Sequence, residues 1–183
     1  MSDLKLYSMS DGYINYLQQH HSGVYLNKEA ARTHTRKYLG TVLCINAHDY
    51  FIPLSSPKNS DYKYINGKRT IRKSIIPIMR ITSNSQTGKI ELLGTLRISH
   101  MIPAPASELT LYDLNSEPDQ AYKALVLKEM NFIRKHHSKI ISNAKLMYKQ
   151  KLENDPSAGY VSAALDFVFL ETKCKAFSEA PSG

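Results

Sequence analysis

The sequence predicts an α+β domain, a twisted antiparallel sheet with helices packed around it. Three observations support this. Short apolar runs separated by turn residues fill the first half, and long helical periodicities fill the second. The runs are joined by connections short enough for hairpins. Neither a repeat nor a linker interrupts the 183 residues, so one domain spans 1–183.

Residues 4–9 alternate (LKLYSM) and read as a first strand. Ser10 then offers an N-cap to a short helix whose apolar face holds Tyr13, Ile14, Tyr16 and Leu17. Residues 23–37 are polar and aperiodic, a loop with one helical turn around 28–32. YLGTVLCI (38–45) is a β-run, Asn46 and Ala47 turn it, and 48–54 returns, giving a hairpin. Residues 57–72 are polar with an Asn66-Gly67 turn signal. Residues 74–81 contain a proline, which suits an edge strand, and 89–98 pairs back on it. Residues 100–105 lead out, and 109–114 give a further short strand or turn. Tyr122, Leu125, Val126, Met130 and Ile133 recur at spacings of three and four, a long amphipathic helix over 119–137. A second helix follows over 140–152, and Asp155-Pro156 and Gly159 break it. A last helix is expected over 161–177, with a frayed tail at 178–183.

The composition narrows the function. Net charge is +8, a balance that favours a polyanionic partner, nucleic acid first. The two cysteines, Cys44 and Cys174, belong to no CxxC or Cys/His cluster, which excludes a disulfide scaffold and argues against structural zinc. The start, MSDLKLYSMSDGY, lacks the basic and apolar regions of a signal peptide, and no apolar stretch approaches membrane length. A cytoplasmic, reduced, soluble protein is expected.

The positive charge is uneven. Six Lys or Arg and one acid lie between Lys58 and Lys73. Arg32, Arg36 and Lys37 precede the first hairpin, and Lys135 and Lys139 lie in a cation-rich stretch of the helical half. Tyrosines interleave with these cations, and a tyrosine face can stack an unpaired base or simply pack in a core with a wet hydroxyl. The candidate RNA-binding residues are Arg32, Lys37, Tyr25, Lys63, Tyr64, Lys68, Arg69, Lys135 and Lys139.

HDYFIPLSSPK (48–58) carries the chemistry. Pro57 steers Ser56 toward an extended conformation, so two hydroxyls and an ammonium gather at a strand end. A phosphate suits such a place, and so does a capped turn. No P-loop, HExxH, GxSxG or GxGxxG occurs. Acids are few and scattered, against the carboxylate cluster of a two-metal nuclease. Metal-free cleavage of RNA by its own 2′-hydroxyl stays open, because Lys, Arg, Ser, Tyr and His suffice for it.

In order along the chain, GYINYL (12–17), RKYLG (36–40), HDYFIPLSSPK, HMIPAP (100–105), LYDLN (111–115), YKALVLKEMNFIRKH (122–136) and FLETKCKAF (169–177) give a chain that resembles the ToxN/AbiQ endoribonucleases. These are the toxins of type III toxin–antitoxin systems. The resemblance implies a metal-independent, sequence-selective endoribonuclease that leaves 2′,3′-cyclic phosphate and 5′-hydroxyl ends, with no cofactor. It implies a partner, a small folded pseudoknot-like RNA antitoxin made from tandem repeats, which blocks the active site and closes with the toxin into a hetero-oligomer. Messenger RNA and the antitoxin precursor are the implied substrates. The implied fold is similar to the MazF/Kid toxins.

By the same resemblance Ser56 supplies the critical hydroxyl and Lys58 binds phosphate or transfers a proton. Ser55 stands where relatives often have threonine, and Tyr13 is implied as an RNA contact in the catalytic group. Arg36 occupies a position where one relative has an active-site lysine. Arginine stays charged and cannot act as a base, so any role of Arg36 is electrostatic. His48 sits at a matched place where a structural role competes with a catalytic one. A non-catalytic RNA-binding module explains the charge equally well but has no need of Ser56 and Lys58. A DNA-binding regulator is disfavoured, since no helix-turn-helix or basic region appears.

Overall fold

The apolar run YLGTVLCI forms the second of nine strands among the described residues, and its neighbours assemble upon it. The computed structural model describes residues 4–28 and 32–180. Strands β1 (Lys5–Met9), β2 (Tyr38–Ile45), β3 (His48–Ser55), β6 (Ile78–Asn84), β7 (Ile90–Arg97) and β9 (Leu109–Leu111) form one antiparallel sheet in the order β6-β7-β3-β2-β1-β9. A short β8 (Ile102–Pro103) also pairs with β3. The β2–β3 turn needs left-handed backbone at both Asn46 and Ala47, with φ of 52° and 61°.

Strand β3 is central, and its proline has a physical explanation. One edge of β3 runs along β2. The other edge pairs first with β8, through Tyr50 and Phe51, and then with β7, through Leu54 and Ser55. The Leu54 N–H donates 2.9 Å to the Lys37 carbonyl on the β2 side. Alternation therefore turns the missing N–H of Pro53 toward the other edge, where β8 gives way to β7.

The helices cover this sheet. Helix α1 (Asp11–His20), capped by Ser10, buries Tyr13, Ile14 and Leu17 and packs on α4. Each such fully buried side chain is worth roughly 1.5–3 kcal/mol. Helix α2 (Gln120–Lys135) lies against β6 and β7, and α3 (His137–Leu152) lies against β2 and α4. In the core, Tyr50 and Tyr148 donate to Glu171 Oε1 at 2.7 and 2.8 Å, and Asn46 donates to its Oε2 at 3.1 Å.

Three expectations change. The last helix, α4, spans Phe167–Glu179, because Asp166 caps it and a 3₁₀ turn occupies Val161–Ala163. It therefore reaches into the stretch expected to fray. The edge strand begins at Ile78, after Pro77, rather than at residue 74. The polar stretch 57–72 contains a separate hairpin of β4 (Tyr62–Ile65) and β5 (Lys68–Ile71). The helical turn expected around 28–32 falls largely on residues outside the described ones. Among the described residues no helix is long and apolar enough to cross a membrane.

Candidate active site

Strand β3 delivers Ser55 and then stops, since Pro57 has no N–H to continue a ladder. Ser55 is still in register with Thr95 of β7 and is buried, whereas Ser56, Pro57 and Lys58 are exposed. The loop after them is closed by Asp61. Its N–H donates to the Lys58 carbonyl and its Oδ2 accepts from the Lys58 N–H, both at 2.9 Å. Asp61 is 0% exposed and lies 3.1 Å from Arg80 Nη2 and 3.3 Å from Arg97 Nη2. Two guanidiniums from β6 and β7 thus hold the carboxylate that shapes the backbone under Lys58. The Ser56 hydroxyl makes no hydrogen bond among the described residues, so it is available to a ligand.

Arg36 reaches the same loop from the β2 side. It is 2% exposed, and its Nη1 donates to the Leu54 carbonyl at 3.0 Å and to Ser55 Oγ at 2.9 Å. Its Nε donates to the Leu26 carbonyl at 3.1 Å. Tyr25 joins the group: its ring centroid is 4.8 Å from the Arg36 guanidinium carbon and 5.7 Å from Lys58 Nζ. His100 stacks on Tyr25 at 4.5 Å, and its Nδ1 is 2.9 Å from Ser99 Oγ. Burial, reinforced by Arg97, His21, Lys58 and Arg36, pulls the His100 pKa down to about 4, so its imidazole is neutral at pH 7.

Arg32 and Lys37 line a cleft with Ser55, Ser56, Tyr122 and Glu129. Lys37 Nζ donates to the Thr35 carbonyl at 3.2 Å and lies 4.7 Å from the Tyr112 ring centroid. Burial lowers its pKa. Tyr122 stacks on His34 at 3.7 Å, and His34 is paired with Asp119.

Ser55, Ser56, Lys58, Arg36, Tyr25, Arg32 and Lys37 thus converge. Lys63, Tyr64, Lys68 and Arg69 stand on the β4–β5 hairpin, tied to the loop where the Arg72 N–H donates 2.8 Å to the Asp61 carbonyl. Lys135 and Lys139 are exposed but line other clefts, around Phe132 and His136. Tyr13 lies apart from this group: it is 0% exposed and its hydroxyl donates 2.6 Å to the Pro103 carbonyl, so its side chain packs in the core. His48 stands at the far end of β3, about 23 Å from Ser55 at ~3.3 Å per residue.

Sequence reasoning missed Asp61, Arg80, Arg97, His100, Tyr122 and Glu129. For Glu129 a signal was present. It lies three residues from Val126 and four from both Leu125 and Ile133, on the apolar face of α2.

The chain is 28% identical over 176 residues to Endoribonuclease ToxN of Pectobacterium atrosepticum, covering 96% of this chain and 95% of that one. It is 29% identical over 177 residues to Endoribonuclease AbiQ of Lactococcus lactis subsp. lactis, covering 96% and 90%. A solved structure concerned with selective inhibition of a type III toxin by a non-coding RNA pseudoknot superimposes with a TM-score of 0.76 at 26% identity, covering 98% of this chain and 100% of that one. Residues 5–175 match the family described as Toxin ToxN, type III toxin–antitoxin system, and the chain belongs to that family.

Proposed function

We propose that the protein is a sequence-selective endoribonuclease toxin that cleaves RNA without a metal, leaving 2′,3′-cyclic phosphate and 5′-hydroxyl ends. The observation that carries this reading is the pinned loop. An uncommitted Ser56 hydroxyl and the Lys58 ammonium are held beside Arg36 by buried charges. The ribose 2′-hydroxyl attacks phosphorus, releasing its proton to solvent water, while the bond to the 5′-oxygen breaks. Ser56 donates to a non-bridging phosphate oxygen. Lys58 offsets the charge that accumulates there and delivers a proton to the departing 5′-oxygen. Arg36 orients Ser55 and contributes positive potential.

A folded repeat RNA, pseudoknot-like, is proposed as the cognate inhibitor, with messenger RNA and the antitoxin precursor as substrates. The cleavage cleft and the Phe132–His136 clefts with Lys135 and Lys139 are separate cationic places, which supports one RNA bridging toxin copies in a closed hetero-oligomer. The antiparallel strand order supports a MazF/Kid-like core.

The test uses labelled single-stranded RNA with the purified protein in EDTA. The wild type is expected to cut it and leave cyclic phosphate ends. Ser56→Ala is expected to bind the same RNA and cut it about 10²–10³-fold more slowly, the size typical of losing one positioned donor. Binding with no cutting under any condition would instead identify a non-catalytic RNA-binding module.

A further inference from the structure

Glu129 is a carboxyl on the buried face of α2, 8% exposed. No cation or hydrogen-bond donor serves it among the described residues, and burial alone pushes its pKa up to about 7. Burying a carboxyl without a partner is unfavourable, and a leucine or methionine would pack there without that penalty. The carboxyl rests on a prepared surface. A Cβ on Gly94 would stand 2.7 Å from Glu129 Oε1 and 3.1 Å from the Ser55 carbonyl oxygen. Only a bare glycine lets the carboxyl lie against the sheet beside the Ser55–Ser56 peptide.

The space in front of it is a narrow slot. Leu93, Leu125 and Tyr122 line it, and so do Ser56 and the cations Arg32 and Lys37. Its volume is about 50 Å³. That is room for about three to five waters at roughly 10–15 Å³ each, so it admits the edge of a flat ring and not a whole nucleotide. Leucines and one aromatic ring for a flat face, a carboxyl for its edge, and two cations at the same cleft for the phosphate that follows are a composition that orients a nucleotide's planar base.

We propose that this slot is a base-reading subsite, in which the edge of a nucleobase flanking the scissile phosphate enters and donates its exocyclic amino group to Glu129. The inference rests on the cleavage reading above. A carboxylate oxygen accepts the 4-amino group of cytosine or the 6-amino group of adenine; uracil has no amino group to give, and guanine meets a carboxylate only through a different part of its edge, N1–H and the 2-amino group. Tyr122 and the leucines exclude water from that bond, so a mismatched base leaves the carboxyl buried and unpaired.

The experiment measures cleavage of single-stranded RNAs in which each base around the mapped cut is varied in turn, at pH 8, where the carboxyl is an acceptor only. The wild type is expected to favour adenine or cytosine over uracil at one position by about 10–100-fold, as one good base contact does. The two favoured bases are compared directly to separate their sources. Purine riboside in place of adenine at that position, which removes only the amino group, is expected to lose the preference with no change to the protein. Glu129→Gln is expected to flatten the preference to within about threefold, and Gly94→Ala, which displaces the carboxyl but keeps its charge, is expected to do the same. An identical base profile in wild type and Glu129→Gln overturns the proposal. So does an equal loss on every RNA, which would make Glu129 a proton-transfer group. The same profile is read by binding to strands with 2′-deoxyribose at the cut. Failure of the cleavage reading, seen as intact RNA with wild type, is thereby distinguished from failure of the subsite, seen as indifference to the base.

Discussion

Two buried carboxyls flank the same loop and are held in opposite ways. Asp61, 0% exposed, lies between the guanidiniums of Arg80 and Arg97 and accepts the Lys58 N–H. Glu129, 8% exposed, forms an ion pair with no cation among the described residues, although Arg32 and Lys37 line the same cleft. A third, Glu171, is satisfied in the core by two tyrosines and an asparagine. The difference separates anchoring from reception. A carboxyl with two buried cations fixes backbone, and a carboxyl left without one beside an open cleft is arranged for something that arrives.

The largest expected effect comes from breaking the anchor. Asp61→Ala strands two buried guanidiniums and is expected to lower stability by about 3–5 kcal/mol in urea unfolding, with cleavage lost alongside. A loss under 1 kcal/mol would show that the arginines find other partners.

Next comes the receiver. Its folded pKa, about 7, is raised above the ordinary glutamate value, so the folded state holds a proton that the unfolded chain releases. That contribution is fully present below the unfolded value near 4.3 and is lost as pH rises through about 7. Glu129→Gln removes the loss. The variant is expected to match wild type near pH 4 and to exceed it by ~3 kcal/mol at pH 8, measured by denaturant unfolding across that range. A constant difference at all pH values would mean that Glu129 has a partner.

The smallest effects belong to a region with neither arrangement, the β4–β5 hairpin. Lys68 and Arg69 are exposed there, and Tyr64 is 73% exposed. Lys68→Ala is expected to change stability by less than about 0.5 kcal/mol. It should weaken RNA binding alike for all sequences and reduce the slope of log affinity against log salt by about one. A sequence-dependent loss would move base reading out to the hairpin.

Much of this architecture was legible because local signals agreed. The β2 bounds 38–45, the Ser10 cap and the α2 stripe each combine periodicity with a stop signal. The β4–β5 hairpin was half legible. Asn66 and Gly67, with φ of 49° and 72°, announce its turn, but YKYI and KRTI have no buried face to produce alternation. In the site, Pro57 marked Ser55, Ser56 and Lys58. Asp61, Arg80 and Arg97 were not legible, since three elements distant in sequence bring them together. The burial of Tyr13 was not legible, because a tyrosine on an amphipathic helix reads the same whether its hydroxyl meets water or the Pro103 carbonyl.

The most direct measurement places a single 2′-deoxyribose at the mapped cut and follows cleavage in EDTA. Self-attack by the ribose predicts that this strand binds with ordinary affinity and stays whole, while the all-ribose strand is cut at full rate in chelator. Scission of the deoxy strand, or an absolute need for added divalent cation, would contradict it.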